Sequence, residues 1–321
     1  IIKVDNSREN NIYENLTVYN FYNNTRAYLK IQDGCNNFCS YCVIPYSRGL
    51  VRSKPKDIVL KEAQILANKG YKELVLTGIH TGGYGLDFEN YRFYDLLKDL
   101  VSEVKGIERI RISSIEINEL TDEVVELIKN NKVIVNHIHI PIQSGCNKTL
   151  KEMNRKYSLD QFEERINYLK ENIEDLSITT DVIVGFPNES EEDFNITYET
   201  LKRIGFTRLH VFPFSSRKGT VASRMKNQIP GDIKKERVNK LILLSKELEK
   251  EYYSKHLNQV VRVLFEENKD GYYKGLTTNY LKVRVKSEEN IAKHFKLVKL
   301  NKIIDVGMDY EIEGEIIDEI F

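Results

Sequence analysis

The sequence predicts an α/β fold, a partial (β/α)6 barrel followed by a small antiparallel β-barrel. Two observations carry this. From residue 27 to about 255, short β-branched runs alternate with longer amphipathic stretches, the pattern of βα units around a parallel sheet. After His256 the helical period disappears, and roughly 65 residues of short strands and turn signals follow. With 321 residues, 41% hydrophobic and 30% charged, the chain has the composition of a globular protein and the length for one large domain and one small.

Taken in order, strands are predicted at 27–32, 73–77, 109–112, 136–140, 177–184 and 208–212. Helices are predicted at 55–69, 91–103, 121–130, 159–171, 191–204 and 233–255. Pro55 suits the first turn of a helix, and Gly70 and Gly205 are natural stops. Six units fit the length; a full eight-unit barrel needs more chain. In the second part, 259–266, 272–278, 280–286 and 310–317 read as strands, with Lys269-Asp270-Gly271 as a turn. The expected boundaries are a linker over 1–24, a core over 25–256 and the small barrel over 257–321. The start at Ile1 rather than Met, followed by a polar stretch, reads as a fragment whose linker once joined another domain.

A formal net charge of zero supplies no overall attraction to nucleic acid. Locally, residues 269–302 hold nine basic side chains against three acidic, and an acidic tail from Asp305 to Glu319 cancels the excess in the total. Tyr272, Tyr273 and Tyr280 interleave with those lysines, and aromatics that stack on bases beside lysines that meet phosphates point to RNA. No apolar run approaches a membrane span and no signal-peptide core opens the chain. Four cysteines without a pairing pattern point to a reducing, cytoplasmic setting.

The chemistry concentrates in Cys35-Asn-Asn-Phe-Cys39-Ser-Tyr-Cys42. Thiolates are the soft ligands an iron–sulfur cluster needs, and this C-x3-C-x2-C spacing lets one loop hold three corners of a [4Fe–4S] cube. The fourth iron is then open to a non-protein ligand. Structural zinc needs a fourth protein ligand, and the nearest histidine, His80, is far along the chain. A disulfide framework belongs to small, cysteine-rich secreted domains. Cys146 stands alone and is assigned no role.

C-x3-C-x-(aromatic)-C, with Tyr41 in the aromatic slot, resembles the signature of the radical S-adenosylmethionine (SAM) enzymes, whose core is a partial TIM-like (β/α)6 barrel. In that superfamily the open iron is chelated by the amino and carboxylate groups of SAM, and reduction breaks the C–S bond to give a 5′-deoxyadenosyl radical. The segments 30–35, 43–49, 112–116, 141–145, 153–157 and 181–187 resemble the methylthiotransferase branch. Leu76-Thr77-Gly78-Ile79-His80-Thr81-Gly82-Gly83-Tyr84-Gly85 is most similar to the tRNA N6-threonylcarbamoyladenosine methylthiotransferases. The resemblance implies methylthiolation of that nucleoside beside the tRNA anticodon. It also implies a C-terminal TRAM-like RNA-binding domain, and a second [4Fe–4S] cluster in an N-terminal domain missing here. A flavodoxin- or ferredoxin-type reductant, a monomeric state and no membrane are expected with it. Rival readings are a methylthiotransferase for isopentenyladenosine in tRNA or for a ribosomal-protein aspartate. A rival of another class is a non-catalytic, cluster-carrying RNA-binding module.

In α/β barrels ligands gather at the carboxyl ends of the strands, so the remaining motifs fall around one mouth. By resemblance Tyr41 lies against the adenine of SAM, Thr77, Gly78, Gly82 and Gly83 receive its amino group, and Gly185 and Phe186 pack on the adenine. Ser113, Ser114 and Glu116 end the third strand, where a carboxylate accepts from ribose hydroxyls or an ammonium. Gln143 and Ser144 offer an amide and a hydroxyl, and the Arg155 fork matches a carboxylate. Asp181 lies inside a strand, where a charge needs a partner or a function, and it is counted with these residues as a contact for SAM.

Overall fold

A computed structural model of the chain describes residues 13, 14, 21 and 25–317. The linker expected over 1–24 therefore lies outside the described residues except at Tyr13, Glu14 and Phe21. The core runs β1 (Arg26–Lys30), α1 (Lys56–Asn68), β2 (Glu73–Thr77), α2 (Phe93–Glu103), β3 (Arg109–Ile112), α3 (Asp122–Asn130) and β4 (His137–His139). It continues through α4 (Asn147–Glu152), α5 (Leu159–Asn172), β5 (Ser177–Val184), α6 (Glu191–Ile204), β6 (Arg208–Pro213) and the long α7 (Gly231–Ser254). Sequence signals set several ends. Ser158 and Ser190 cap α5 and α6 in reciprocal capping boxes with Gln161 and Asp193, and Gly205 closes α6 in the left-handed conformation.

The six parallel strands pair as two half-sheets, β1-β2-β3 and β4-β5-β6. The halves join through the single bridge Ile110↔Ile134 and the bond from Ile115 N–H to His139 O (3.0 Å). Pro141, which has no N–H, lies two residues past the end of β4 and limits its ladder. The outer faces are apolar: Ala27, Leu29, Leu74, Leu76, Ile110, Ile138 and Ile178 share one core with helix residues such as Val59, Ala63 and Leu66 of α1, Leu96 and Leu97 of α2, and Phe162 and Ile166 of α5. The inner face is not. Arg26, Glu73, Arg111, His137, His139, Thr179 and Asp181 meet one another across the lumen.

The second part is a closed five-stranded barrel of β7 (Val260–Lys269), β8 (Tyr272–Leu276), β9 (Lys282–Val285), β10 (Phe295–Asp305) and β11 (Tyr310–Ile317). Its ring order is β8-β9-β11-β10-β7. The sequence predicted only antiparallel pairing, but β9 runs parallel to β11, with Val283 opposite Ile312. The reason is topological: a closed ring with an odd number of strands cannot alternate direction throughout. Val263, Phe265, Val283, Val285, Val298, Leu300 and Ile312 fill its core. The strand β10 was missed in the sequence because a register shift between Leu300 and Lys302 breaks its alternation.

This barrel seals the amino-terminal base of the lumen. Arg109 donates to the carbonyls of Leu276 and Arg262 (2.8 Å each), and Arg26 pairs with Glu266 (2.7 Å). Tyr280 stacks on His137 with ring centroids 4.3 Å apart.

Candidate active site

The cysteine loop leaves the carboxyl end of β1 through a short ribbon, Gln32–Asp33 against Arg52–Ser53. Gly34 makes that exit possible: its φ is +73°, and a Cβ there would lie 1.9 Å from the Leu50 carbonyl oxygen. The loop is tied down by Cys35 N–H to Gly49 O (3.1 Å), Ser40 N–H to Met153 O (3.0 Å) and Ala222 N–H to Ser40 O (2.8 Å). Cys35, Cys39 and Cys42 are all partly exposed at the mouth. Asn37 N–H donates to Cys35 Sγ (3.4 Å), and Arg155 Nη1 donates to Cys39 Sγ (3.5 Å).

Arg155 is the hub of the mouth. Its buried guanidinium pairs with Glu116 and donates from Nε to Tyr157 Oη (3.1 Å) and from Nη2 to Pro141 O (3.3 Å). The sequence assigned Arg155 and Glu116 to separate ligand groups; in the fold they hold each other. Asn37, Cys39, His80, Glu116, Glu119 and Arg155 line a cleft of ≈ 60 Å³.

His80, set aside in the sequence as remote, stands beside Cys35 and pairs with Glu119. Burial opposes its charged form, but the Cys35 thiol and the Glu119 carboxylate outweigh burial and raise its pKa to about 10. The detectable signal was the run Gly78-Ile79-His80, since Gln32 Oε1 accepts the His80 N–H (2.8 Å) and a Cβ at Gly78 would meet that same oxygen at 2.9 Å. Among the described residues no three His, Cys, Asp or Glu side chains are gathered to hold a single metal ion. Three thiols on one loop, two of them facing N–H donors, are a donor set that fits three corners of a larger iron–sulfur cluster.

The other expected positions divide. Thr77 ends β2, and Gly82 and Gly83 form a tight turn against Glu119 and His80, where any Cβ would lie 2.1 and 2.6 Å from their side chains. Ser114 is half-buried, and it is Ser113 whose hydroxyl reaches this turn, 3.4 Å from Thr81 Oγ1. Tyr41 packs on Met153, Phe186, Phe214 and Ala222. Gln143, held at φ +65°, bonds through its backbone to Asp181 O and Ile183 N–H (2.9 Å each). Ser144 does not face the mouth: its buried hydroxyl meets Thr197 Oγ1 (3.2 Å) and the Cys146 N–H (3.2 Å). Gly185 is filled from outside by Lys234, and the Phe186 ring is fully buried against Phe214. Cys146 is buried, its Sγ 3.5 Å from Asp193 Oδ1.

Residues 29–201 match the family model of the radical SAM superfamily. The threonylcarbamoyladenosine tRNA methylthiotransferase MtaB of Bacillus subtilis is 49% identical over 98% of this chain and 70% of its own length. The chain belongs to the radical SAM methylthiotransferases. The MtaB of Aquifex aeolicus is 43% identical over 85% of the chain and 65% of its own length. The tRNA-2-methylthio-N(6)-dimethylallyladenosine synthase of Clostridium tetani is 39% identical over 91% and 64%. The chain thus spans about two thirds of these relatives. Coproporphyrinogen III oxidase (HemN) of Escherichia coli, a radical SAM enzyme, shares the fold over 70% of this chain and 52% of its own, with a TM-score of 0.52 at 16% identity. Membership implies a [4Fe–4S] cluster and SAM.

The basic side chains of the methylthiotransferase's small barrel are largely neutralised in place. Lys274, Lys282, Arg284, Lys299 and Lys302 pair with Glu311, Asp309, Glu313 and Glu315 of the acidic tail. Lys269, Lys286, Lys293 and Lys296 form no ion pair among the described residues and share the end of the barrel where β7 and β9 finish and β10 starts. Lys286 lies over the Tyr272 ring there (5.3 Å). No described helix is long and apolar enough to cross a membrane.

Proposed function

We propose that this chain is the catalytic core of a methylthiotransferase that converts N6-threonylcarbamoyladenosine, next to the tRNA anticodon, to its 2-methylthio form. The observation that carries the reading is the thiol trio on one loop at the barrel mouth, with the Arg155 guanidinium directed at Cys39. Cys35, Cys39 and Cys42 would hold the cluster. Tyr41, Thr77, Gly78, Gly82, Gly83, Ser114, Glu116, Gln143 and Arg155 are the residues nearest to hand for SAM, with Ser144, Gly185 and Phe186 supporting them from behind. Held by these residues, the cluster and SAM would supply radical chemistry for hydrogen removal at adenine C2. The protein's part is to fix the sulfonium beside its electron donor and to keep water from the radical.

Inserted sulfur needs a second cluster, and the one cysteine outside the trio, Cys146, is buried against Asp193. On this reading the second cluster would be held by cysteines other than these four. A flavodoxin- or ferredoxin-type reductant, a cytoplasmic setting and a monomeric state belong to the same reading. The test is anaerobic reconstitution, reduction with SAM and assay for 5′-deoxyadenosine. Wild type should form it, and Cys39→Ala should lose both cluster colour and product. Intact cluster without product would refute the radical chemistry. A second reading, action on dimethylallyladenosine, draws on relatives such as the C. tetani synthase. Mass spectrometry of tRNA nucleosides from a deletion strain separates the two.

A further inference from the structure

On the lumen face of the second half-sheet, Asp181 of β5 stands between His139 of β4 (Nε2–Oδ1 3.2 Å) and His210 of β6 (Nδ1–Oδ1 4.0 Å). Behind it the hydrogen bonds have one self-consistent direction. Arg111 Nη1 lies 3.1 Å from His137 Nδ1, and a guanidinium only donates, so Nδ1 accepts and the His137 proton sits on Nε2. That N–H faces Thr179 Oγ1 at 3.1 Å. The threonine hydroxyl, 2.9 Å from His139 Nδ1, then donates onward, which leaves the His139 proton on Nε2, aimed at Asp181. Burial, together with the nearby Arg111 charge, pushes the His137 pKa well down, as a neutral link requires. The chain is anchored at its base, where Arg111 donates to Glu73 (2.8 Å) and Tyr280 covers both Arg111 and His137.

The outcome is an oriented acceptor. Asp181 Oδ1 takes the His139 proton, Oδ2 has no partner among the described residues, and the side chain is 30% exposed. On the same face of β6, His210 and Phe212 are 45% and 49% exposed, and an open cavity of ≈ 290 Å³ runs along the edge of this strand, closed on its far side by Ile242 and Ser245 of α7 and by Met308. An uncovered ring beside an imidazole and a fixed carboxylate offers a base a stacking face and its edge an acceptor.

We propose that this face is the nucleoside-recognition subsite: the target base stacks on Phe212, and Asp181 Oδ2 accepts an N–H or O–H from its N6 substituent. Arg111, His137, Thr179 and His139 are positioning residues that hold Asp181 as an acceptor. The inference rests on the methylthiotransferase reading above. It favours a polar substituent, since a threonylcarbamoyl group brings urea N–H and hydroxyl donors, whereas a dimethylallyl group brings none beyond N6–H itself.

The test uses the reconstituted full chain and three anticodon stem-loop RNAs, carrying threonylcarbamoyladenosine, dimethylallyladenosine or adenosine, with binding read by fluorescence anisotropy. Wild type should prefer the threonylcarbamoyl RNA by about tenfold, the worth of one charge-assisted hydrogen bond. Asp181→Ala should erase that preference by weakening binding of the threonylcarbamoyl RNA. Thr179→Val, which keeps shape but removes the hydroxyl, should weaken the preference, and Thr179→Ser should restore it. Nitrogen-15 NMR of the histidines should show His139 protonated at Nε2 in wild type and Thr179→Ser, and a mixture in Thr179→Val. An undiminished preference in Asp181→Ala, no preference in wild type, or an Nδ1-protonated His139 would overturn the proposal. Failure of wild type to bind any of the three RNAs would instead sink the methylthiotransferase reading, and this subsite with it.

Discussion

The two ends of the barrel lumen treat charge in opposite ways. At the base, Glu73 is fully buried and ringed by Arg26 (3.0 Å), Arg111 (2.8 Å) and Arg109 (3.8 Å), with the small barrel closed over them. Burial alone would raise the Glu73 pKa; Arg111, Arg26 and Arg109 outweigh it and hold the carboxyl below its ordinary range. At the mouth, thiols and carboxylates stay partly exposed, while buried atoms without a hydrogen-bond partner among the described residues occur at both ends, Arg26 Nη2 and Glu73 Oε2 at the base and Ser40 Oγ at the mouth. Charges that satisfy one another build architecture. Groups left open to solvent at the mouth are available for chemistry.

The comparison breaks most directly through stability. Glu73→Ala strands three guanidiniums in a sealed base and should cost about 3–5 kcal/mol in urea unfolding. Cys35→Ala should leave unfolding nearly unchanged and remove the iron. Equal losses at both ends would erase the distinction. Arg155→Met tests the hub of the mouth: the Glu116 carboxylate loses its partner, and stability should fall by roughly 2 kcal/mol. Its reconstituted cluster should also show an altered spectrum, because Cys39 loses an N–H donor.

A smaller effect belongs to the seam between the parts. His256 faces Asp175 Oδ1 (2.6 Å) and Tyr252 O (2.8 Å), and Asn279 from the small barrel joins Asp175 (2.6 Å). Burial disfavours the imidazolium, but the Asp175 and Tyr252 acceptors overcome burial and raise the pKa. A raised histidine stabilises fully below its unfolded value, about 6.5, and that contribution is lost as pH climbs through the folded value. Unfolding midpoints should therefore fall as pH rises above neutrality in wild type, and lose that slope in His256→Gln. The smallest effect concerns RNA. Lys269→Gln and Lys286→Gln should each lower the salt slope of binding by about one, while Lys302→Gln, already paired with Glu313, should change it little.

Much of this was legible in the sequence because local rules sufficed. The six strand positions follow β-branched runs, and the cysteine spacing names its ligand class without any fold. What escaped depended on distance along the chain. His80 and Cys35 meet only because β1 and β2 are neighbours in register, Lys30 opposite Thr77. The basic excess over 269–302 was counted correctly, but β11 lies between β9 and β10 and carries the acidic tail onto it. Asp181 was singled out for the cost of a buried charge, yet its partners His139 and His210 come from two other strands.

The odd-membered ring has a consequence for how the molecule is made. Since β11 wedges between β9 and β10, the ring cannot shut until this last described strand has left the ribosome. Until then the carbonyls of Leu276 and Thr277 are not fixed to receive Arg109 and Arg111. The nascent core therefore waits, its floor unfinished, until β11 has emerged.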